Sequence, residues 1–285
     1  EFKDNLEFVR SIAKMNYEVD LLIDPDAPAR VAKTLWQIAM RFRIVSADYL
    51  RQLARAGDLI FEGAQGVLLD EWHGFPPYTT WSTTTFANAL ILLSEIDYEG
   101  KVEKIGLLRA YFTRHGAGPF PTEDKTLTST LSDRWNIFGR WQEHFRVGWF
   151  DAVLARYAIA VAGAKVDSLA ITCLDRFAQV SERKIATGYN IHRSQFGGAE
   201  RAATESTEVV GTDLVRIKNF REKPLITDLL YQERLTKILQ SAQVVLERAP
   251  KDDEEYLALI ERELGVLVGY TSYGQTALSK YTRKG

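Results

Sequence analysis

The sequence predicts an α/β protein with a mostly parallel central sheet flanked by helices. Two observations carry that prediction. Helical periodicities alternate with short, continuous apolar runs, and strands buried on both faces read that way. Several of those runs end in Gly-rich or polar loops, where open α/β sheets bind ligands. The 285 residues are read as one domain spanning the whole chain, a size that large α/β folds reach.

The elements follow in order. Over residues 27–56, Val31, Leu35, Ile38, Ala39 and Phe42 recur at helical spacing. Ser46 reads as the cap of a second helix carrying Tyr49, Leu50 and Leu53, which ends at Gly57. Asp58-Leu59-Ile60-Phe61 then reads as a short buried strand. Residues 62–88, EGAQGVLLDEWHGFPPYTTWSTTTFAN, are rich in Gly, Pro and Thr and read as a functional loop. Beyond it, residues 89–93 read as helix, 105–113 as strand, 114–122 as a Gly/Pro loop, 152–162 as helix and 168–172 as a buried strand. Residues 229–246 and 254–264 read as helices, the second opened by the charge run Lys251-Asp252-Asp253-Glu254-Glu255.

Composition excludes several function classes. With 36 Lys+Arg against 38 Asp+Glu the net charge is −2, so binding nucleic acid through bulk positive charge is excluded. Cys173 is the single cysteine; it makes neither an internal disulfide nor a Cys-based zinc site, which points to a reducing compartment and a cytoplasmic location. The most apolar stretch, 147–166, is broken by Asp151, Arg156 and Lys165, whereas a membrane span needs about 20 largely apolar residues. No signal peptide is expected from the charged Glu1-Phe2-Lys3-Asp4. Neither a membrane nor a nucleic acid is expected as a partner.

The loops carry the chemistry. Gly63-Ala64-Gln65-Gly66, after a strand, is either a tight turn with a capping Gln or an anion cradle whose Gln reads an amide-like edge such as a purine. Thr79-Thr80-Trp81-Ser82-Thr83-Thr84-Thr85 suits a phosphate, or is a β-branched edge strand. Arg114-His115-Gly116-Ala117-Gly118-Pro119 is a second Gly-rich loop. Asp175, following Thr172-Cys173-Leu174, either caps a helix or accepts the N–H groups of a guanine edge. Arg140 and Arg146 suit carboxylates or phosphates through bidentate pairs. His73, His115 and His144 lack metal-ligand spacing, and no metal site is expected from these residues.

Four strings in order resemble the adenylosuccinate synthetase family: Phe61-Glu62-Gly63-Ala64-Gln65-Gly66-Val67-Leu68-Leu69-Asp70 followed by His73-Gly74; Tyr78-Thr79-Thr80; Thr113 through Glu123; and Gly148-Trp149-Phe150-Asp151 with the Arg156-Tyr157-Ala158 helix. The resemblance runs over residues 27–279. It implies a P-loop-NTPase-like fold and a C–N ligase. A nucleoside triphosphate, GTP or ATP, phosphorylates the 6-oxygen of a purine mononucleotide such as IMP; L-aspartate then displaces that phosphate, with Mg2+ stabilising the transferring group.

It further implies that Gly63, Ala64, Gln65, Thr80, His115 and Gly116 bind the acceptor nucleotide, with Gln65 at the reacting edge. Arg140 and Arg146 then bind aspartate, Asp175, Ser272 and Gly274 read the donor base, and a homodimer is expected.

Three departures qualify the resemblance. No GDEGKG-like string occurs, so the family's N-terminal Gly-rich loop is absent, and with it the expected Mg2+ ligands and general base. The chain is therefore expected to be a fragment, half of a split enzyme, or an inactive nucleotide-binding relic; the lack of an initiator Met favours a fragment. The family's Arg-rich loop is replaced by Trp141-Gln142-Glu143-His144-Phe145-Arg146, and the Lys of its donor-base motif by Cys173. These two changes resemble a viral branch of the family that uses dGMP as acceptor and tolerates ATP, with His115 and Glu143 as candidate discriminators of the acceptor.

Overall fold

A computed structural model describes residues 26–283 apart from Arg134, Trp135, Ile137 and Trp141; the chain start at residues 1–4 and the Trp141 replacement lie outside the described residues. The chain divides into two compact units, 1–59 and 60–285. In the first, α1 (Ala27–Ala39) and α2 (Ala47–Ala56) confirm the predicted pair of helices. Ser46 occupies the cap position of α2 without a side-chain cap bond.

The second unit is built on three pieces of sheet. A four-stranded sheet has the order β1 (Ile105–Arg109), β5 (Ser168–Thr172), β10 (Val268–Ser272), β11 (Lys280–Thr282). Its first three strands are parallel and β11 is antiparallel. This is the parallel sheet the sequence predicts. Because β1, β5 and β10 run the same way, their carboxyl ends share one edge, at Arg109, Thr172 and Ser272.

A two-stranded ribbon joins β2 (Phe112–His115) to β3 (Phe145–Gly148). The third sheet has β4 (Phe150–Asp151), β6 (Arg183–His192), β8 (Leu214–Phe220) and β7 (Thr204–Val210), with β9 (Gln243–Ala249) also on β6. All its pairings but β4–β6 are antiparallel, so the molecule mixes sheet types more than the alternation suggests.

Among the described helices of this unit, α3 (Ala87–Glu95), α4 (Lys125–Thr130), α5 (Ala152–Ala160), α6 (Leu174–Phe177), α7 (Gly198–Ala202), α8 (Leu229–Ser241) and α9 (Asp253–Leu264) connect these pieces. Helix α5 sits between two cores. Ala152 and Ala155 join Leu169, Ile171, Phe177 and Tyr256 beneath the parallel strands. Val153, Leu154 and Tyr157 join Ile217, Leu235 and Ile238 beneath the antiparallel sheet. The charge run at 251–255 does open a helix: the Asp252 side chain accepts from Glu255 N at 3.0 Å, with acids filling the first turn.

Three expectations are corrected. Asp58–Phe61 is not a strand; Ile60 is 92 % exposed, and among the described residues no neighbouring strand takes its amides. An apolar run becomes a strand only when another strand pairs with it. Residues 105–113 form two strands rather than one. The chain turns at Ala110, whose N–H bonds Thr172 O at 2.8 Å and whose carbonyl accepts from the Tyr256 hydroxyl at 2.7 Å. Residues 229–246 are helix only to Ser241; the β-branched Val244 and Val245 continue as β9.

Candidate active site

Gln65 lies in the left-handed region at φ 67°, followed by Gly66 at φ 106°. Its side-chain carbonyl accepts from Ser82 Oγ at 3.1 Å. Gly63 and Ala64 precede it in irregular, exposed backbone. Thr80 N bonds Leu69 O at 2.8 Å, which folds the Thr-rich segment back beside the Gly-rich turn. Fully buried Asp70 holds this fold from within: it accepts from Trp72 N at 2.9 Å, His73 N at 3.0 Å and Thr84 N at 2.7 Å. From outside, Gln232 Nε2 donates to His73 O and Gly74 O at 2.7 and 2.6 Å, and Lys223 Nζ donates to Trp72 O. His73 is buried with Nδ1 unpartnered; burial lowers its pKa, partly offset by Asp70.

The second Gly-rich loop joins this one through Arg114. Arg114 and Arg146 face each other across the β2–β3 ribbon. Arg114 donates to Tyr78 O at 3.2 Å and to Ala117 O at 2.9 Å, bracing the Thr80 segment against the Gly116-Ala117-Gly118 turn. Burial, and then the charge of Arg146, lower its pKa to about 10, so it stays charged at neutral pH. Gly118 is left-handed at φ 112°, and an added Cβ there would sit 2.2 Å from the Arg114 guanidinium.

Arg146 donates to Gly116 O and Gly118 O at 2.8 and 3.1 Å and chelates Glu123 at 2.7 and 3.0 Å. Glu123 is the carboxylate that Arg146 meets in this structure. His115 Nε2 lies 3.0 Å from Asn136 Oδ1, and its ring packs on Phe145. Gly116 N bonds His144 O at 3.1 Å. Arg140 sits in a turn closed by paired bonds between Gly139 and Glu143, in the chain segment leading into β3.

The donor-base candidates form a separate cluster, at the carboxyl ends of β5 and β10. Cys173, left-handed at φ 61°, caps the four-residue α6, and Asp175 stands half-buried in its first turn. On the adjacent strand Ser272 Oγ bonds Gly274 O at 3.2 Å, and Lys280 Nζ donates to the same carbonyl. The structure thus links the segment of Gln65 and Thr80 to Gly116 and Arg146 through Arg114 and the Gly116–Gly118 turn, leaves the His115 side chain on Asn136, and sets Asp175, Ser272 and Gly274 together elsewhere. The bracing by Asp70, Arg114 and Glu123 goes beyond what the sequence motifs assign. Arg114 lies inside a recognised string, yet one of its partners, Tyr78 O, is 36 residues away. Among the described residues no three His, Cys, Asp or Glu side chains converge to hold a metal ion.

Asp151, in the Gly-Trp-Phe-Asp string, anchors the helix beneath the site. It accepts from Leu154 N at 3.0 Å and from the Tyr189 hydroxyl. Full burial pushes its carboxyl up to about 6 against those hydrogen bonds. The folded value lies above the unfolded one of about 3.9, so the folded chain holds this proton more tightly. The associated stability is complete below about pH 4 and is lost as pH rises through about 6. Asp151→Asn keeps an acceptor for Leu154 N and a partner for Tyr189. It is expected to flatten that pH dependence, worth about 3 kcal/mol, as read by urea unfolding between pH about 4 and about 8.

The comparisons with known proteins bear on the family and the fold. The family model described as adenylosuccinate synthetase matches residues 1–279. An adenylosuccinate synthetase of Geobacter sp. (strain M21) is 31% identical over 284 residues, covering 95% of this chain and 61% of the relative. One from Crocosphaera subtropica is 36% identical over 197 residues, 67% of this chain and 44% of that one. The chain therefore spans roughly half to three fifths of the length of these relatives.

A solved, fully ligated adenylosuccinate synthetase from Plasmodium falciparum superimposes with a TM-score of 0.66 at 19% identity, over 100% of this chain and 64% of that one, and shares the fold. A cyanophage S-2L succinoaminodeoxyadenylate synthetase bound to dGMP and dATP gives 0.45 at 17% identity, over 84% of this chain and 51% of that one, too distant to weigh on the acceptor. With the family model covering nearly every residue, the chain belongs to the adenylosuccinate synthetase family.

Proposed function

We propose that the chain carries the acceptor-nucleotide and donor-base pockets of a ligase that joins L-aspartate to the 6-position of a purine mononucleotide. The observation that carries this reading is the bracing of the Gln65–Thr80 loop and the Gly116–Gly118 turn into one network by Arg114 and Arg146. Arg114 ties together two loops that lie 36 residues apart.

Each residue then has a task. The Gln65 amide both donates and accepts, which matches the ring edge of a 6-oxopurine. Thr80 and the neighbouring amides hold the 5′-phosphate. His115 and Gly116 border the acceptor. Asp175 accepts the N–H groups of the donor base, with Ser272 and Gly274 lining the same site. Arg140 is the aspartate candidate, and Arg146 shapes the turn. In the reaction, the triphosphate phosphorylates the 6-oxygen, and the aspartate nitrogen bonds the ring carbon as phosphate departs. Mg2+ supplies charge neutralisation to the transferring phosphoryl group when bound; none of its ligands is assigned to the described residues. GTP or ATP as donor, a homodimer and a cytoplasmic location belong to the same proposal and rest on the family; no described helix is long and apolar enough to cross a membrane.

Calorimetric titration with IMP and with dGMP tests the reading. Saturable binding of IMP, weaker for dGMP, is the expected result. The reverse order assigns the chain to dGMP. Binding of neither contradicts the proposal.

A further inference from the structure

We infer that Asp70 is a positioning residue for the acceptor site: without touching the ligand, its carboxylate sets where Gln65 and Thr80 stand. The inference rests on the pocket proposed above. Asp70 is fully buried, where a carboxylate is costly unless hydrogen-bonded. It spends its oxygens entirely on the loop that would bind nucleotide. Oδ1 takes Trp72 N and His73 N, two and three residues on; Oδ2 takes Thr84 N, fourteen residues on. One side chain thus closes a long polar loop on itself.

From Asp70 the links run to both proposed ligand contacts. The Thr84 hydroxyl lies 3.4 Å from Oδ2 and donates to Gly66 O at 3.0 Å, the carbonyl that follows the left-handed Gln65. Ser82, two residues before Thr84, holds the Gln65 amide itself. In the other direction, the carbonyl of Leu69, next to Asp70, accepts from Thr80 N at 2.8 Å. The main-chain carbonyl of Asp70 accepts from Gly74 N at 2.9 Å, and Glu71 N bonds Ser82 O at 3.3 Å. A Cβ on Gly74 would lie 2.6 Å from that Asp70 carbonyl, so the turn admits only glycine in this geometry. Preorganising groups through a buried partner lowers the ordering cost when the ligand arrives.

A mere structural cap and a positioning residue differ in coupling. In Asp70→Asn the amide NH2 faces Thr84 N–H, donor against donor, while shape is kept. The test is calorimetric titration of the full chain with IMP in four forms: wild type, Asp70→Asn, Gln65→Ala and the double variant. Asp70→Asn is expected to bind about tenfold more weakly, and the double variant well short of the product of the two single losses, because part of the first change acts through Gln65. Losses that multiply in the double variant overturn the inference, as does unchanged affinity in Asp70→Asn. If wild type binds no IMP, the pocket itself is wrong and Asp70's role falls with it; wild-type binding with an indifferent Asp70→Asn removes only the role of Asp70. Should Asp70→Asn fail to fold, Thr84→Val breaks the relay to Gly66 alone; a loss of about threefold, absent when Gln65 is already Ala, supports the inference, and a multiplicative loss overturns it.

Discussion

Gly148→Ala is expected to destabilise the chain by about 3 kcal/mol or more, the scale of overpacking against fixed backbone. An added Cβ would lie 2.5 Å from Thr122 O, 2.7 Å from Thr122 C and 2.8 Å from the Phe120 ring. Nothing there can move cheaply. Trp149 N bonds Thr122 O at 3.0 Å and Asp124 N bonds Val147 O at 2.9 Å, so the segment after the Gly116–Gly118 turn is laced to β3 on both sides of Gly148. Trp149 Nε1 adds a bond to Asp124 Oδ2 at 3.0 Å. The glycine is needed for close approach, and the Gly-Trp pair of the motif is a packing device that holds the turn on the ribbon. Urea unfolding checks this; a change below roughly 0.5 kcal/mol would show that the two segments separate more easily than their bonds imply.

Gln65→Ala is expected to weaken acceptor binding about tenfold or more, the effect of losing one hydrogen bond to a reacting polar edge. Its effect on folding should be small, since the side chain is exposed and bonded only to Ser82 among the described contacts. Alanine at φ 67° adds local strain, so Gln65→Gly is the matched control. Both variants should lose the same affinity. Retained affinity in either would remove Gln65 from the site.

Two strands of the parallel sheet, β1 and β5, were legible in the sequence; β10 and β11 were not. Residues 168–172 read as a buried strand and form one with those bounds, because a short apolar run between polar loops has few other places to go. Helices α5 and α9 were legible from their periodicity and, for α9, its acidic first turn. The antiparallel sheet was not. Strand β6, RKIATGYNIH, mixes charged, small and aromatic residues, and its burial depends on β8 and β9, which lie far along the chain. Strand β9 was hidden for a related reason: its apolar residues follow the α8 periodicity without a Gly or Pro between them.

The site divides the same way. Gln65, Thr80, His115 and Gly116 sit in strings whose composition is unusual for a turn, so they drew notice. Asp70 and Arg114 look like ordinary charged residues in sequence. Their meaning comes from partners 14 and 36 residues distant. Arg146 has the residue type of a carboxylate ligand, and in this structure it meets Glu123, a partner 23 residues back that the sequence does not announce.

The central claim is that one bonded network, from Gln65 to the Gly116–Gly118 turn, receives a purine mononucleotide. Amide NMR of the isotopically labelled chain during titration with IMP tests it most directly. Saturating shifts concentrated at residues 63–66, 78–84 and 115–118 are expected, with those of β11 and α9 unmoved. Shifts confined to other elements, or none at saturating nucleotide, would contradict it.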